Sequence, residues 1–149
     1  MVKFLIVVVL IVLAVFVYLT LDKPVFESDG KLIIGFKPID VEIAETVQEQ
    51  FAGLSGRDSM CEDCGMVFVY NQAKIQKFTM RGMKFPLDMI FIRDGKIIEI
   101  IENVPFPQPG ELPVNINSRD PADMVLEVNA GFVKRNSVPT GQSIILERE

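Results

Sequence analysis

From Phe4 to Leu21 the chain runs eighteen residues, FLIVVVLIVLAVFVYLTL, without a single charge. As a helix this stretch would reach about 27 Å, close to the ~30 Å hydrocarbon core of a bilayer. It is apolar on every side, whereas a helix packed on a globular core keeps a polar face. A cleavable signal has a shorter apolar region, of ~7–15 residues, and ends in a small-x-small site. Here Ala14 is the only small apolar residue, and Tyr18-Leu19-Thr20-Leu21 provides no such site. The expectation is an uncleaved transmembrane anchor over residues 1–21 that meets the lipid bilayer through residues 4–21.

Charge sets its orientation. Lys3 and the amino terminus precede the span, while Asp22 and Lys23 cancel after it. Positive charge stays inside, so the N-terminus is expected in the cytoplasm. The protein is then single-pass in the cell membrane, with a linker over 22–30 and an extracytoplasmic domain over 31–149.

Linker and domain together, residues 22–149, carry 14 basic and 20 acidic residues, and the whole chain has no histidine. The acidic balance argues against a nucleic-acid partner, which needs a clustered basic surface. Without histidine there is no Ser-His-Asp or Cys-His nucleophile and no common zinc site. Ser55, Ser59 and Ser118 have no base in a recognisable motif. Met66, Met80, Met83 and Met89 alternate along strand-like segments and read as core filling, so no metal and no cofactor is expected.

Periodicity over 31–149 is mostly two-residue and comes in short pieces. Lys31–Phe36, Ile39–Ala44, Met66–Tyr70, Ile75–Met80, Met124–Val128 and Gln142–Glu147 read as strands. Leu87–Ile92 and Lys96–Ile101 flank Asp94-Gly95, a strong hairpin signal. Thr46 with Glu49 forms a capping box that opens a short helix to about Leu54, and Ala130–Arg135 suggests one or two further helical turns. Five prolines in Val104–Pro121 mark a long loop. The fold class expected is mainly β, a β-sandwich of jelly-roll kind or an open barrel with two short helices, preceded by one transmembrane helix.

A two-residue turn at Asp94-Gly95 would pair Arg93 with Lys96, Ile90 with Glu99 and Asp88 with Ile101. Asp88 and Glu99 would then be diagonal neighbours on one face, about 7–8 Å apart. Paired carboxylates of this kind, with Glu102 as a third candidate, could act as acid and base on a polysaccharide. The plainer reading has Asp88 accepting backbone N–H bonds and pairing with Arg81 or Lys84. Cys61-Glu62-Asp63-Cys64 has the spacing of thiol oxidoreductases. A strand-like segment follows it instead of a helix, and two acidic residues lie between the thiols. Both features disfavour a reactive thiolate, so a local disulfide is expected in an oxidising compartment.

The blocks VEIAET, GLSGR, GMVFVY, FTMRGMKFPLDMIFI, ENVPFP and VLEVNAG occur in that order between about Ile39 and Leu146. Together they resemble the family called domain of unknown function 192, small secreted or membrane-anchored prokaryotic proteins. The resemblance implies a jelly-roll-type β fold and no particular activity. Relatives usually read Phe-Trp-Met-Lys-Asn-Thr where this chain has Phe78-Thr79-Met80-Arg81-Gly82-Met83. Arg57, Arg81 and Asn129 match polar positions of the family blocks. With Asp88 they are the binding candidates for a shared anion or sugar pocket. The leading functional expectation is a non-enzymatic ligand-binding or interaction module at the cell envelope, with an envelope ligand or protein as partner. The alternatives are a polysaccharide hydrolase using Asp88, Glu99 or Glu102, and a thiol redox role for Cys61 and Cys64.

Overall fold

A computed structural model describes residues 8–13 and 26–148. Most of the expected anchor, and residues 22–25 of the linker, lie outside the described residues. Residues 8–13 are helical, and among the described residues no helix is long and apolar enough to cross a membrane.

The domain is mainly β. Its elements are β1 (Gly30–Ile34), β2 (Lys37–Ala44), α1 (Val47–Ala52), β3 (Cys64–Lys74), β4 (Lys77–Thr79), β5 (Leu87–Arg93), β6 (Lys96–Val104), β7 (Asn115–Asn117), β8 (Ala122–Asn129), α2 (Phe132–Asn136) and β9 (Ile144–Arg148). Seven strands form one open sheet in the order β6-β5-β8-β3-β2-β1-β9, and β4 pairs with β7 in a separate two-stranded ribbon. This differs from a jelly roll of two comparable sheets. The sheet curls until its outer strands touch at a single bridge, Lys96 to Ser143, reinforced by Ile97 N–H to Gln142 O at 3.0 Å and Ile144 N–H to Gly95 O at 2.8 Å. Among the described strands only β2 and β3 pair in parallel. The segment that carries α1 makes the crossover such a pair needs.

Local signals act where expected. The Thr46 hydroxyl accepts from Glu49 N, and the Glu49 carboxylate accepts from Thr46 N at 2.9 Å, so the capping box forms in full. Asp94 and Gly95 both have positive φ, which matches the twist of the hairpin they close. The ribbon strand β7 lies inside the proline-rich segment expected to be loop. It forms because Asn115, Ile116 and Asn117 find partners in Thr79, Phe78 and Lys77.

Both faces of the sheet are covered. On the first, Leu32, Val41, Val67, Ile90, Ile92 and Leu126 pack under Phe132 and Val133 of α2. On the second, Met66, Phe68, Met89, Phe91 and Val125 pack under Leu54, Met80, Met83 and Ile116. The four methionines are therefore core, as their alternation suggested. The central strands β5 and β8, and the first half of β3, are buried on both sides. Every residue of β5 before Arg93 is buried. Gly65 is required at this packing density, because a Cβ there would lie 2.9 Å from the Glu127 carbonyl oxygen.

Candidate functional site

The hairpin register departs from simple counting, and this decides the fate of the proposed carboxylate pair. Arg93 pairs with Lys96 and Ile92 with Ile97, but an extra residue then shifts Glu99 opposite Phe91 and Ile101 opposite Met89. A one-residue slip moves a side chain to the other face. Glu99 therefore points to the second face with Phe91, while Asp88 shares the first face with Ile90. The diagonal pair does not exist.

Each carboxylate instead has a structural task. Asp88 is fully buried, and its two oxygens accept from Asn103 N at 2.8 Å and Val133 N at 2.9 Å. It thus caps α2 from a distance, where Gly131 has no side chain to do so. Its plainer expectation holds for the backbone bonds and fails for the ion pairs, since Lys84 binds Asp58. Glu99 holds the long loop by accepting from Arg119 N at 2.8 Å and facing the Arg119 guanidinium at 3.3 Å. Glu102 is exposed on β6.

The arginine and asparagine candidates do not converge on one pocket. Arg57 makes a two-pronged pair with Glu42, with N–O distances of 2.6 and 2.5 Å, and lines a separate recess. The Glu42 partnership raises the Arg57 pKa. Asn129 donates to the Met60 and Cys61 carbonyls, fastening that turn to the end of β8. Cys61 and Cys64 form a disulfide at the start of β3. Among the described residues, no three His, Cys, Asp or Glu side chains gather into a metal-binding group.

The residue that stands out was not a sequence candidate. Glu127 lies on β8 with Met66 of β3 on one side and Met89 of β5 on the other. It therefore faces the apolar second face, where its residue is 6% exposed. No hydrogen bond or ion pair reaches its carboxyl from the described residues. Desolvation pushes that carboxyl up to about 8, so near neutral pH it carries a proton. Tyr70, four residues beyond Met66 on β3, is pushed up to about 12 by its own burial first and by the Glu127 charge second.

Glu127 lines a cleft of about 210 Å³. One wall is the end of α1 and the turn after it, including Ala52, Leu54 and Ser55. The other walls are Phe68, Tyr70, Phe78, Met80 and Met83, with Arg81 at the margin. Phe68 and Phe78 meet edge to face at 5.0 Å, which fixes both rings. The two rim turns are fastened together, because Ser55 Oγ donates to Arg81 O at 3.1 Å and Gly56 N to Gly82 O at 2.8 Å. Of the sequence candidates, only Arg81 belongs to this cleft. A wider groove of about 480 Å³ beside Ser28 and Thr46 is poorer in unused chemistry. There Glu49 is committed to the capping box and Glu45 to Arg148.

Comparison with known proteins gives a consistent frame. Residues 29–146 match the family described as uncharacterized ACR, domain of unknown function 192. A Sinorhizobium meliloti 1021 protein, described as a candidate transcription regulator, is 36% identical with a TM-score of 0.68. The match covers 78% of this chain and 90% of that one. A protein of unknown function from Novosphingobium aromaticivorans DSM 12444 is 28% identical with a TM-score of 0.69. That match covers 77% of this chain and 83% of the other. None of the curated proteins matches the chain.

Proposed function

For this chain, which belongs to the domain of unknown function 192 family, we propose the role of a small-ligand-binding module whose pocket is the Glu127 cleft. One observation carries the reading. A carboxyl buried beside an open cleft, with no partner among the described residues, sacrifices stability that a methionine or leucine there would keep. A ligand supplying the missing partner accounts for that sacrifice. The cleft also combines apolar walls from Phe68, Phe78, Met80 and Met83 with polar groups at its margins, and Glu127 is the buried acid among them. Its small volume suits a ligand of about ten heavy atoms, below the size of typical drug-like ligands.

Binding is favoured over hydrolysis because the paired carboxylates that the hydrolase needed lie on opposite faces of the sheet. We place the module at the extracytoplasmic side of the cell membrane, held by the segment 4–21. The uncharged run and the disulfide support that address. The regulatory description of the Sinorhizobium protein is not transferred, since this chain has a net charge of −5 and a DNA partner calls for a basic surface.

The test is a screen of small molecules against the full chain in a non-ionic detergent, read by thermal shift. Ala52 is exposed on the cleft wall, so Ala52→Trp obstructs the opening without disturbing the core. Ligands are expected to raise the Tm of the wild type and to lose that effect in Ala52→Trp. Hits that stabilise both proteins equally, or no hits at all, would overturn the reading.

A further inference from the structure

We propose that the ligand taken by the Glu127 cleft is a small organic cation, an amine with an apolar body whose ammonium group is bound by the Glu127 carboxylate. This rests on the cleft being a ligand site. The argument begins with what Glu127 lacks. Its neighbours in register, Met66 and Met89, offer no hydrogen-bond donor, and no other described side chain donates to it. A buried carboxyl stays neutral unless a group of opposite charge meets it, and among the described residues none does, which leaves that place to a ligand.

The remaining walls suit the same ligand. Phe68 and Phe78 present aromatic surface, and aromatic faces attract cations electrostatically, as the Tyr70 ring already does with Lys74. Met80 and Met83 add polarisable sulfur against the apolar body. The charged groups facing the cleft are few. From β3 come Tyr70, neutral in the working range, and the exposed Lys74, whose ammonium lies 5.2 Å from the Tyr70 ring centre. Lys77 comes from β4 and Arg81 from the turn after it, and both are exposed, where water and salt screen them. β5, on the other side of β8, contributes only the apolar Leu87, Met89 and Phe91 to this face. Inside the cleft, Glu127 therefore sets the sign.

A proton must leave when the cation binds. In the free protein the carboxyl is held near 8, so at pH 7 about nine-tenths of molecules carry that proton. The reaction is carboxylic acid plus ammonium ion going to an ion pair, with the proton passing to buffer. Affinity then follows the ionised fraction. It should rise about fifty-fold from pH 6 to pH 8, while the amine itself stays charged. A ligand that used the neutral acid as a hydrogen-bond donor would show the opposite trend.

The experiment is calorimetry on the full chain in non-ionic detergent, with phenethylamine, 2-phenylethanol and 3-phenylpropionate as probes of matched shape. Buffers of different ionisation enthalpy report the protons released. Phenethylamine is expected to bind at least tenfold more tightly than either analogue at pH 8, and to release about 0.9 proton at pH 7. Glu127→Gln, a close match in shape to the neutral acid, is expected to abolish both the preference and the proton release. If the alcohol or the carboxylate binds as well as the amine and is still lost in Ala52→Trp, the cation assignment fails while the ligand site stands. Absence of phenethylamine binding, or binding without proton release, overturns the assignment as well. The screen against Ala52→Trp then decides the site on its own.

Discussion

Replacing Glu127 by Gln should change the pH dependence of stability more than stability itself. In the unfolded chain a glutamate ionises near 4.5, whereas in the folded domain burial holds this one near 8. Between those values the native state keeps a proton that the unfolded chain has lost. Stability therefore falls as pH rises through the window and levels off above the folded value. Each unit of separation is worth about 1.4 kcal/mol, so between pH 5 and pH 9 the wild type should lose about 4 kcal/mol through this one group. The window is unusually clean. The chain has no histidine, both cysteines are in a disulfide, and Glu45 and Glu49 are shifted downward, out of range. Urea denaturation of wild type and Glu127→Gln at pH 5, 7 and 9 measures the effect directly. The two should be nearly equal at pH 5, with the wild type less stable by several kcal/mol at pH 9. Parallel pH profiles for the two proteins would refute the claim that Glu127 is buried without a partner.

Three further substitutions test the structural assignments. Arg57→Ala leaves Glu42 half-buried and unpaired, and should cost about 2–4 kcal/mol in urea denaturation. Asp88→Asn puts an NH₂ group where a carboxylate oxygen now accepts. It should lower stability by about 2–3 kcal/mol while leaving ligand-induced thermal shifts intact; loss of binding with unchanged stability would return Asp88 to the functional candidates. The double variant Cys61→Ser, Cys64→Ser opens a very short loop, so it should stay folded by circular dichroism and lose only about 2 kcal/mol.

What the sequence displayed was whatever depended on near neighbours. The Thr46–Glu49 capping box and the Asp94-Gly95 turn each sit within a few residues, and both could be read directly. The bulge that moves Glu99 was hidden because Ile97 and Ile98 are both apolar, so either alternation fits the run. Strand β7 was hidden because its partners lie 36 residues or more upstream, beyond any local pattern. Glu127 was missed for the same reason. In Val-Leu-Glu-Val-Asn an acidic residue between apolar ones reads as the solvent side of a half-exposed strand. Only the placement of β8 between β3 and β5 makes that side interior. The available signal was its position in the VLEVNAG block, where Asn129 was singled out two residues away. The site as read from the sequence gathered groups that prove to be fastenings: a distant helix cap, a loop anchor and a turn clamp.

The pairing of β1 with β9 has a mechanical side. Gly30 and Arg148 face each other across this antiparallel pair, so the chain enters and leaves the sheet at the same corner. Tension applied between those two points loads the ladder from one end, opening its hydrogen bonds in succession instead of shearing them together. β9 is an outer strand and joins β6 at only one bridge, so it would peel away at low force. The Glu127 cleft lies across β3 and β8, two strands and more from that edge. A pull between the two ends of this pair would thus unzip one margin of the sheet while the cleft keeps its shape.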